Sequence, residues 1–240
     1  MCHRIVPLTI SELDAARTSA DGGSRASVPA DDAEAAAEAY PGAAIPVLVP
    51  RRPIGPGERV GMEDFEVVPM VWGFEMAPQR GATASRPKLI YNTRIETVLD
   101  QLRRGGGMWV EALLSGRCLV PVRSFFETHR SETATDPQTG KSTRTQYRFG
   151  LAGRSTSLLA AISEAGRVSI VTVEAYGEAA GVHHRLPLVL APGESGVWLG
   201  PDFESLAAPG HPRAALAQER EENASPAGRA AAGNPAASAD

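Results

Sequence analysis

The chain has 240 residues, 42% of them hydrophobic, and a formal net charge of −4. That is length and apolar content enough for a folded body with a sizeable core, and too little positive charge for a protein that coats nucleic acid by bulk electrostatics. No apolar run approaches the roughly 20 residues a bilayer span needs, the start of the chain lacks the apolar core of a secretory signal, and two cysteines 116 positions apart make no disulfide framework, so a cytoplasmic protein with no membrane partner is expected.

The charge is uneven. Residues 11–45 hold 7 acids and 2 bases, and residues 201–240 hold 6 acids and 3 bases. Both stretches are rich in Ala, Ser and Gly and poor in large apolar side chains, the composition of segments that cannot bury enough surface to order themselves. The reading is therefore one domain over residues 1–204, a disordered acidic insertion at 11–45 and a disordered tail at 205–240. Without the two acidic stretches the body carries a net charge of +4, compatible with a local phosphate-binding patch.

Taken in chain order, "FEVVPMVWGFE" (65–75) reads as the first strand of the body. A helix follows over "IETVLDQLRR" (95–104), closed by the glycine triplet 105–107, and a second over "MWVEALLSG" (108–116). Strands are then expected at "RCLVPVRSFFETH" (117–129), "TQYRFGLA" (145–152), "SLLAAISE" (157–164), "RVSIVTVEA" (167–175) and "RLPLVLAP" (185–192), with helical turns at 177–184 and 194–200. The polar stretch 130–145 reads as a solvated hairpin extension. Closely spaced strands with few short helices predict an α+β fold: a mainly antiparallel, curved or barrel-like sheet.

The chemistry-bearing residues are Cys2, Asn92, Arg94, Glu127, His183, His184 and Arg185. Each also has a plain structural reading. Asn92 can cap the helix that follows it, Glu127 can be an edge carboxylate facing water, and one of the adjacent histidines can be a surface residue. Cys118, before "LVPV", reads as a small buried hydrophobe. The spacings of Cys2, His3, Cys118 and His183 match no metal motif, no G-x-S-x-G elbow occurs and no glycine-rich phosphate loop occurs, so no metal and no cofactor are expected. Cys2 poses its own question, because a cysteine at position 2 holds no core together. Removal of the initiator methionine would leave it with a free amine and a thiol on adjacent carbons.

The order of the blocks "MCHR" (1–4), "VWGF" (71–74), "YNTRIETV" (91–98), "RCLVPVRSFFE" (117–127), "VTVEA" (171–175) and "HHRLPLVL" (183–190) resembles the SRAP family, the SOS response-associated peptidase domain. The resemblance runs from residue 1 to about 200. It implies a single SRAP-like domain that recognises abasic sites in single-stranded DNA as a monomer and crosslinks to them through the N-terminal cysteine. Carried over by position, Cys2 is the nucleophile, Asn92 holds the Cys2 main chain or the sugar, Glu127 shuttles protons and His183 is the general acid/base. Arg4, Arg94 and Arg185 would grip phosphates and Trp72 would stack on bases, while His184 takes no role. The family name also implies a cysteine peptidase served by the same residues, and a non-catalytic DNA-binding module is the third reading. Departures from the family pattern are His3 for glycine, no N-x-A-P segment in 11–45, no Ile-Pro soon after "WG", Thr93 for alanine, Phe126 for tyrosine, Thr128 for tryptophan and Leu186 for methionine. Loss of an aromatic surface at Thr128 removes a base-stacking contact of roughly 1–3 kcal/mol.

Overall fold

The computed structural model describes residues 2–20, 37–76, 88–135 and 140–221. The sheet is built from β1 (Arg4–Pro7), β2 (Ala44–Pro50), β3 (Phe65–Trp72), β6 (Asn92–Arg94), β7 (Arg117–Thr135), β8 (Ser142–Leu151), β9 (Ser157–Glu164), β10 (Arg167–Glu174), β11 (Arg185–Pro187), β12 (Val189–Leu190) and β13 (Leu216–Arg220). A separate pair is formed by β4 (Phe74–Glu75) and β5 (Leu89–Ile90). The helices α1 (Ile10–Ala20), α2 (Ile95–Arg103), α3 (Val110–Ser115), α4 (Ala179–Val182) and α5 (Glu194–Leu199) are all short. The fold is α+β, as the strand spacing predicts. No helix among the described residues is long and apolar enough to cross a membrane.

Strand pairing is mainly antiparallel, with β3 and β6 parallel to β10. Through β7–β9–β10–β3–β2 the pairings return to β7, so the sheet is partly ring-like. It falls short of a barrel because the closing contacts are slight: Leu48 opposite Leu119 joins β2 to β7, and two residue pairs join β3 to β10.

Alternation along the strands divides the core. On β9, Ala160 and Ile162 face one apolar cluster with α2, α3 and α5, whereas Leu159 and Ala161 face a second that contains Cys2, Trp72 and Cys118. The helix α2 buries Ile95, Val98 and Leu99 at the i, i+3, i+4 spacing that makes one apolar stripe. Gly116 joins α3 to β7 against a carbonyl so close that an added Cβ would stand 1.9 Å from the Ser163 oxygen. The β9–β10 hairpin turns through Ala165 and Gly166 at φ 49° and 74°, a primed two-residue turn.

The structure moves the domain boundary. Residues read from composition as disordered include α1, the bridge of Ile5 to Ala39 and the start of β2. At the other end, β13 pairs with β8 over five residues and Leu206 and Ala214 are buried in the two clusters. The domain therefore extends past 204 to at least Glu221. Backbone pairing and a few well-placed apolar contacts order segments that average composition marks as too polar. Residues 21–36 and 222–240 lie outside the described residues. We expect a truncation after residue 204 to lower the thermal midpoint markedly relative to one after residue 224. Full burial of Leu206 alone is worth roughly 1.5–3 kcal/mol, and the β8 edge would be left unpaired.

Candidate active site around Cys2

Three sheet elements and one turn converge on the start of the chain. β1 lies against β7 with Arg4 opposite Phe126, which brings Cys2 beside Glu127. β6 runs parallel to β10 with Asn92 opposite Ile170, and the turn from α4 into β11 carries His183. The Asn92 side-chain amide donates to the Cys2 carbonyl at 2.6 Å. The Cys2 main-chain N–H is near enough to the Glu127 carboxyl to lower its pKa, and Glu127 Oε2 lies 3.8 Å from His183 Nδ1. Asn92 therefore anchors the start of the chain across 90 residues rather than capping α2, whose N-cap is Arg94.

Burial sets the electrostatics. Cys2 and Glu127 are both 0% exposed. Desolvation raises the Glu127 carboxyl from 4.5 to about 7, although the amino-terminal charge and the Cys2 N–H pull it back in part. Burial, then the Glu127 charge, pushes the Cys2 thiol far above the ordinary cysteine range. Burial lowers His183 to about 4, against the raising effect of its hydrogen bond to the Arg185 main chain. The ring is fixed there, with Nδ1 2.9 Å from the Arg185 carbonyl oxygen and 3.0 Å from its amide nitrogen. At neutral pH the imidazole is thus a neutral base, and the group that titrates near neutrality is the carboxyl, not the histidine.

A stability prediction follows from the carboxyl. Its folded pKa lies above the unfolded value, so the folded state holds a proton that the unfolded chain has released, and its contribution to stability declines as pH rises from 4.5 to about 7. Glu127→Gln removes that decline. We expect the variant to gain on the order of 1–3 kcal/mol over the parent at pH 8 relative to pH 5, measured by denaturant titration at the two pH values.

The four residues expected to contact DNA separate sharply. Trp72 is fully buried, donates from Nε1 to the Tyr91 carbonyl at 2.9 Å and packs edge-on against the Tyr91 ring, so it presents no face to a base. Arg4 lies over the Phe126 ring at 3.8 Å and binds Glu38, Gln146 at 3.0 Å and Glu221 at 2.7 and 2.9 Å. Arg185 forks onto Glu96 with two contacts of 2.9 Å and donates to the Thr172 carbonyl at 2.6 Å. Both guanidiniums are already paired and nearly buried, and their visible work is to tie β1 to β8 and to the residue that follows β13, and β11 to α2. Arg94 alone of the four is exposed.

Two neighbours were not legible in the sequence. Tyr91 is close enough that the charges of Cys2 and Glu127 add to burial in raising its phenol. Arg130, assigned to a solvated hairpin, lies near His183 and His184 and donates to the Ala180 carbonyl at 3.3 Å. Arg94 also acts on His184, so Arg94, His184 and Arg130 form an exposed, cationic rim beside the buried cluster. Only the "YN" pair beside Asn92 could have pointed to Tyr91, and nothing local pointed to Arg130. Cys118 is buried, as expected, with its thiol pushed up to about 12 by desolvation. Among the described residues no cluster of His, Cys, Asp and Glu could hold a metal ion.

Solved structures share this fold. A phage-related protein from Bordetella bronchiseptica is 19% identical with a TM-score of 0.55, covering 92% of this chain and 95% of its own. A second Bordetella bronchiseptica protein is 19% identical with a TM-score of 0.56, covering 92% and 100%. A Bacteroides thetaiotaomicron protein is 17% identical with a TM-score of 0.52, covering 78% of each chain. No protein of curated function matches the chain. The profile of SOS response associated peptidase (SRAP) matches residues 1–224, the same span that the strands close into one sheet and that brings residues 92, 127 and 183 to residue 2, and the chain belongs to that family.

Proposed function

We propose that this protein attaches itself covalently to abasic sites in single-stranded DNA through Cys2, after removal of Met1. The observation that carries the reading is the buried Glu127 carboxyl, held near pKa 7, lying beside the Cys2 main chain that Asn92 anchors. Once residue 1 is gone, the Cys2 nitrogen is a primary amine beside a group that can take or give a proton.

The steps balance without a cofactor. The protonated Glu127 carboxyl gives its proton to the ring oxygen as the C1–O ring bond breaks, and the C1 hydroxyl loses its proton to water, leaving the open-chain aldehyde. The Cys2 amine adds to the aldehyde carbon, and loss of one water leaves a C=N bond. The Cys2 sulfur adds to the same carbon, its proton ends on the nitrogen, and a five-membered thiazolidine closes. Because burial keeps the sulfur as a thiol, a base must take that proton, and neutral His183 and ionised Glu127 are the candidates. Asn92 fixes the Cys2 carbonyl and so the direction in which the amine points. Arg94 and Arg130 on the rim would meet phosphates flanking the lesion, a contact without sequence preference.

A peptidase using the same cysteine needs a thiolate, and such nucleophiles have lowered thiol pKa values. The raised Cys2 thiol runs the other way and favours the amine as the first nucleophile. Intact mass of the purified protein supplies the first test. Loss of one methionine is expected, and full retention of it in a protein that still crosslinks would contradict the amine mechanism.

A further inference from the structure

A groove of about 500 Å³ lies on the outer side of β7 and β8, lined by Arg123, Ser124, Arg148, Gly150, Arg154 and Glu219 among others. It is distinct from the Cys2 site. Along β7, Phe125 and Glu127 point to one side, while Ser124 and Phe126 point to the other, where Arg148 stands opposite Phe126. Three arginines and a serine hydroxyl here serve no role derived above.

Ser124 is the informative member. It is 2% exposed, and its Oγ has no hydrogen-bond partner among the described residues. A buried hydroxyl without a partner is a standing cost that a bound acceptor would relieve. The Nε of Arg123 is likewise buried and unpartnered, although its Nη2 pairs with Glu12. Arg148 and Arg154 are exposed and make no side-chain hydrogen bond or ion pair among the described residues, even though Glu219 is the cross-strand neighbour of Arg148. Gly150 lines the groove, and an added Cβ there would make only an ordinary contact, 3.4 Å from the Arg123 carbonyl oxygen.

We infer that this groove binds phosphate groups, with Arg148 and Arg154 as the gripping forks and the Ser124 hydroxyl as a buried donor. Several guanidinium and hydroxyl donors facing one open space fit an anion with three or more acceptor oxygens better than a single carboxylate. The phosphate belongs either to a nucleic-acid strand or to a free nucleotide, and the groove has the volume for either. The inference stands apart from the reading of Cys2, because it needs no abasic site and no covalent step.

The test uses undamaged probes: a fluorescent single-stranded oligothymidylate read by anisotropy, and AMP and inorganic phosphate read by titration calorimetry. Arg148→Gln/Arg154→Gln is expected to weaken at least one probe tenfold or more, since hydrogen bonds to charged groups are worth about that much. If the source is a strand, the slope of log K against log salt falls by about 1.4 for two lost phosphate contacts, with AMP unaffected. If the source is a free nucleotide, AMP loses affinity and the salt slope for the oligonucleotide does not change. The exposed pair Arg103→Gln/Arg104→Gln, whose partners are Glu204 and Asp100, should match the parent. Ser124→Ala should weaken the same probe several-fold while holding or raising the thermal midpoint, a combination that a merely structural serine would not give. Equal affinity of parent and Arg148→Gln/Arg154→Gln for every probe overturns the inference, as does an equal loss in the control pair.

Discussion

Cys2→Ala, mixed with a single-stranded oligonucleotide carrying one abasic site, is expected to yield no protein–DNA species that survives denaturing electrophoresis. Cys118→Ala should form the species at the parental rate. The contrast is sharp because the chain has only two cysteines, and both are fully buried. Burial therefore does not distinguish them, but surroundings do. Cys2 has its nitrogen beside Glu127 and its carbonyl bonded to Asn92, whereas Cys118 lies within β7 in the apolar cluster and can offer no amine. An alanine at position 2 retains the amine, so a Schiff base can still form, but the ring cannot close and the linkage hydrolyses. If Cys2→Ala and the parent give equal amounts of denaturation-resistant product, the cysteine is not the point of attachment.

Glu127→Gln should slow formation of the same product by about 10²–10⁴-fold, the usual range for loss of a positioned acid or base. Glutamine keeps the size and an acceptor oxygen for the Cys2 N–H, so a large loss of rate with the fold intact separates proton transfer from scaffolding. The pH profile carries a second signature. The carboxyl must be protonated to open the sugar and titrates at about 7, while the amine must be free and titrates near 7.7–8.0. The parent should show a narrow bell with its maximum between those values, and the variant should keep the acid limb and lose the alkaline one. An alkaline limb that survives in Glu127→Gln would assign it to another group. His183, lowered to about 4, contributes no break in this range.

Much of the scaffold was legible because it depends on local patterns. Alternating β-branched and aromatic residues marked β9 and β10 to within a residue and the start of β7, which runs on to Thr135 through residues read as a solvated hairpin, and the i, i+3, i+4 stripe of Ile95, Val98 and Leu99 marked α2. Elements defined by what they meet were not. β13 reads as a polar tail until β8 supplies its partner, and α1 carries Ala, Ser and Thr in place of a strong apolar face. The same limit governed the side chains. Cys2, Asn92, Glu127 and His183 could be picked out as candidates from ordered blocks of sequence, but the state of each could not. Desolvation reversed the expectation for His183 and made Glu127 the group that titrates near neutrality. Arg4 looked like a free cation at the chain start because its partners Glu38 and Glu221 stand 34 and 217 residues away. Trp72, at the end of β3, likewise looked available until β2 and β10 packed on either side of that strand.

The central claim is that one carbon of the opened sugar becomes bonded to both the nitrogen and the sulfur of residue 2. Tandem mass spectrometry of the adduct after protease and nuclease digestion measures this directly, together with treatment by borohydride before digestion. The expected product is a peptide that begins at Cys2, carries the sugar remnant with the loss of one water, resists thiol alkylation and takes up no hydrogen from borohydride. A remnant mapped to any other residue, or a residue 2 whose thiol still alkylates and whose linkage is reduced by borohydride, would contradict it.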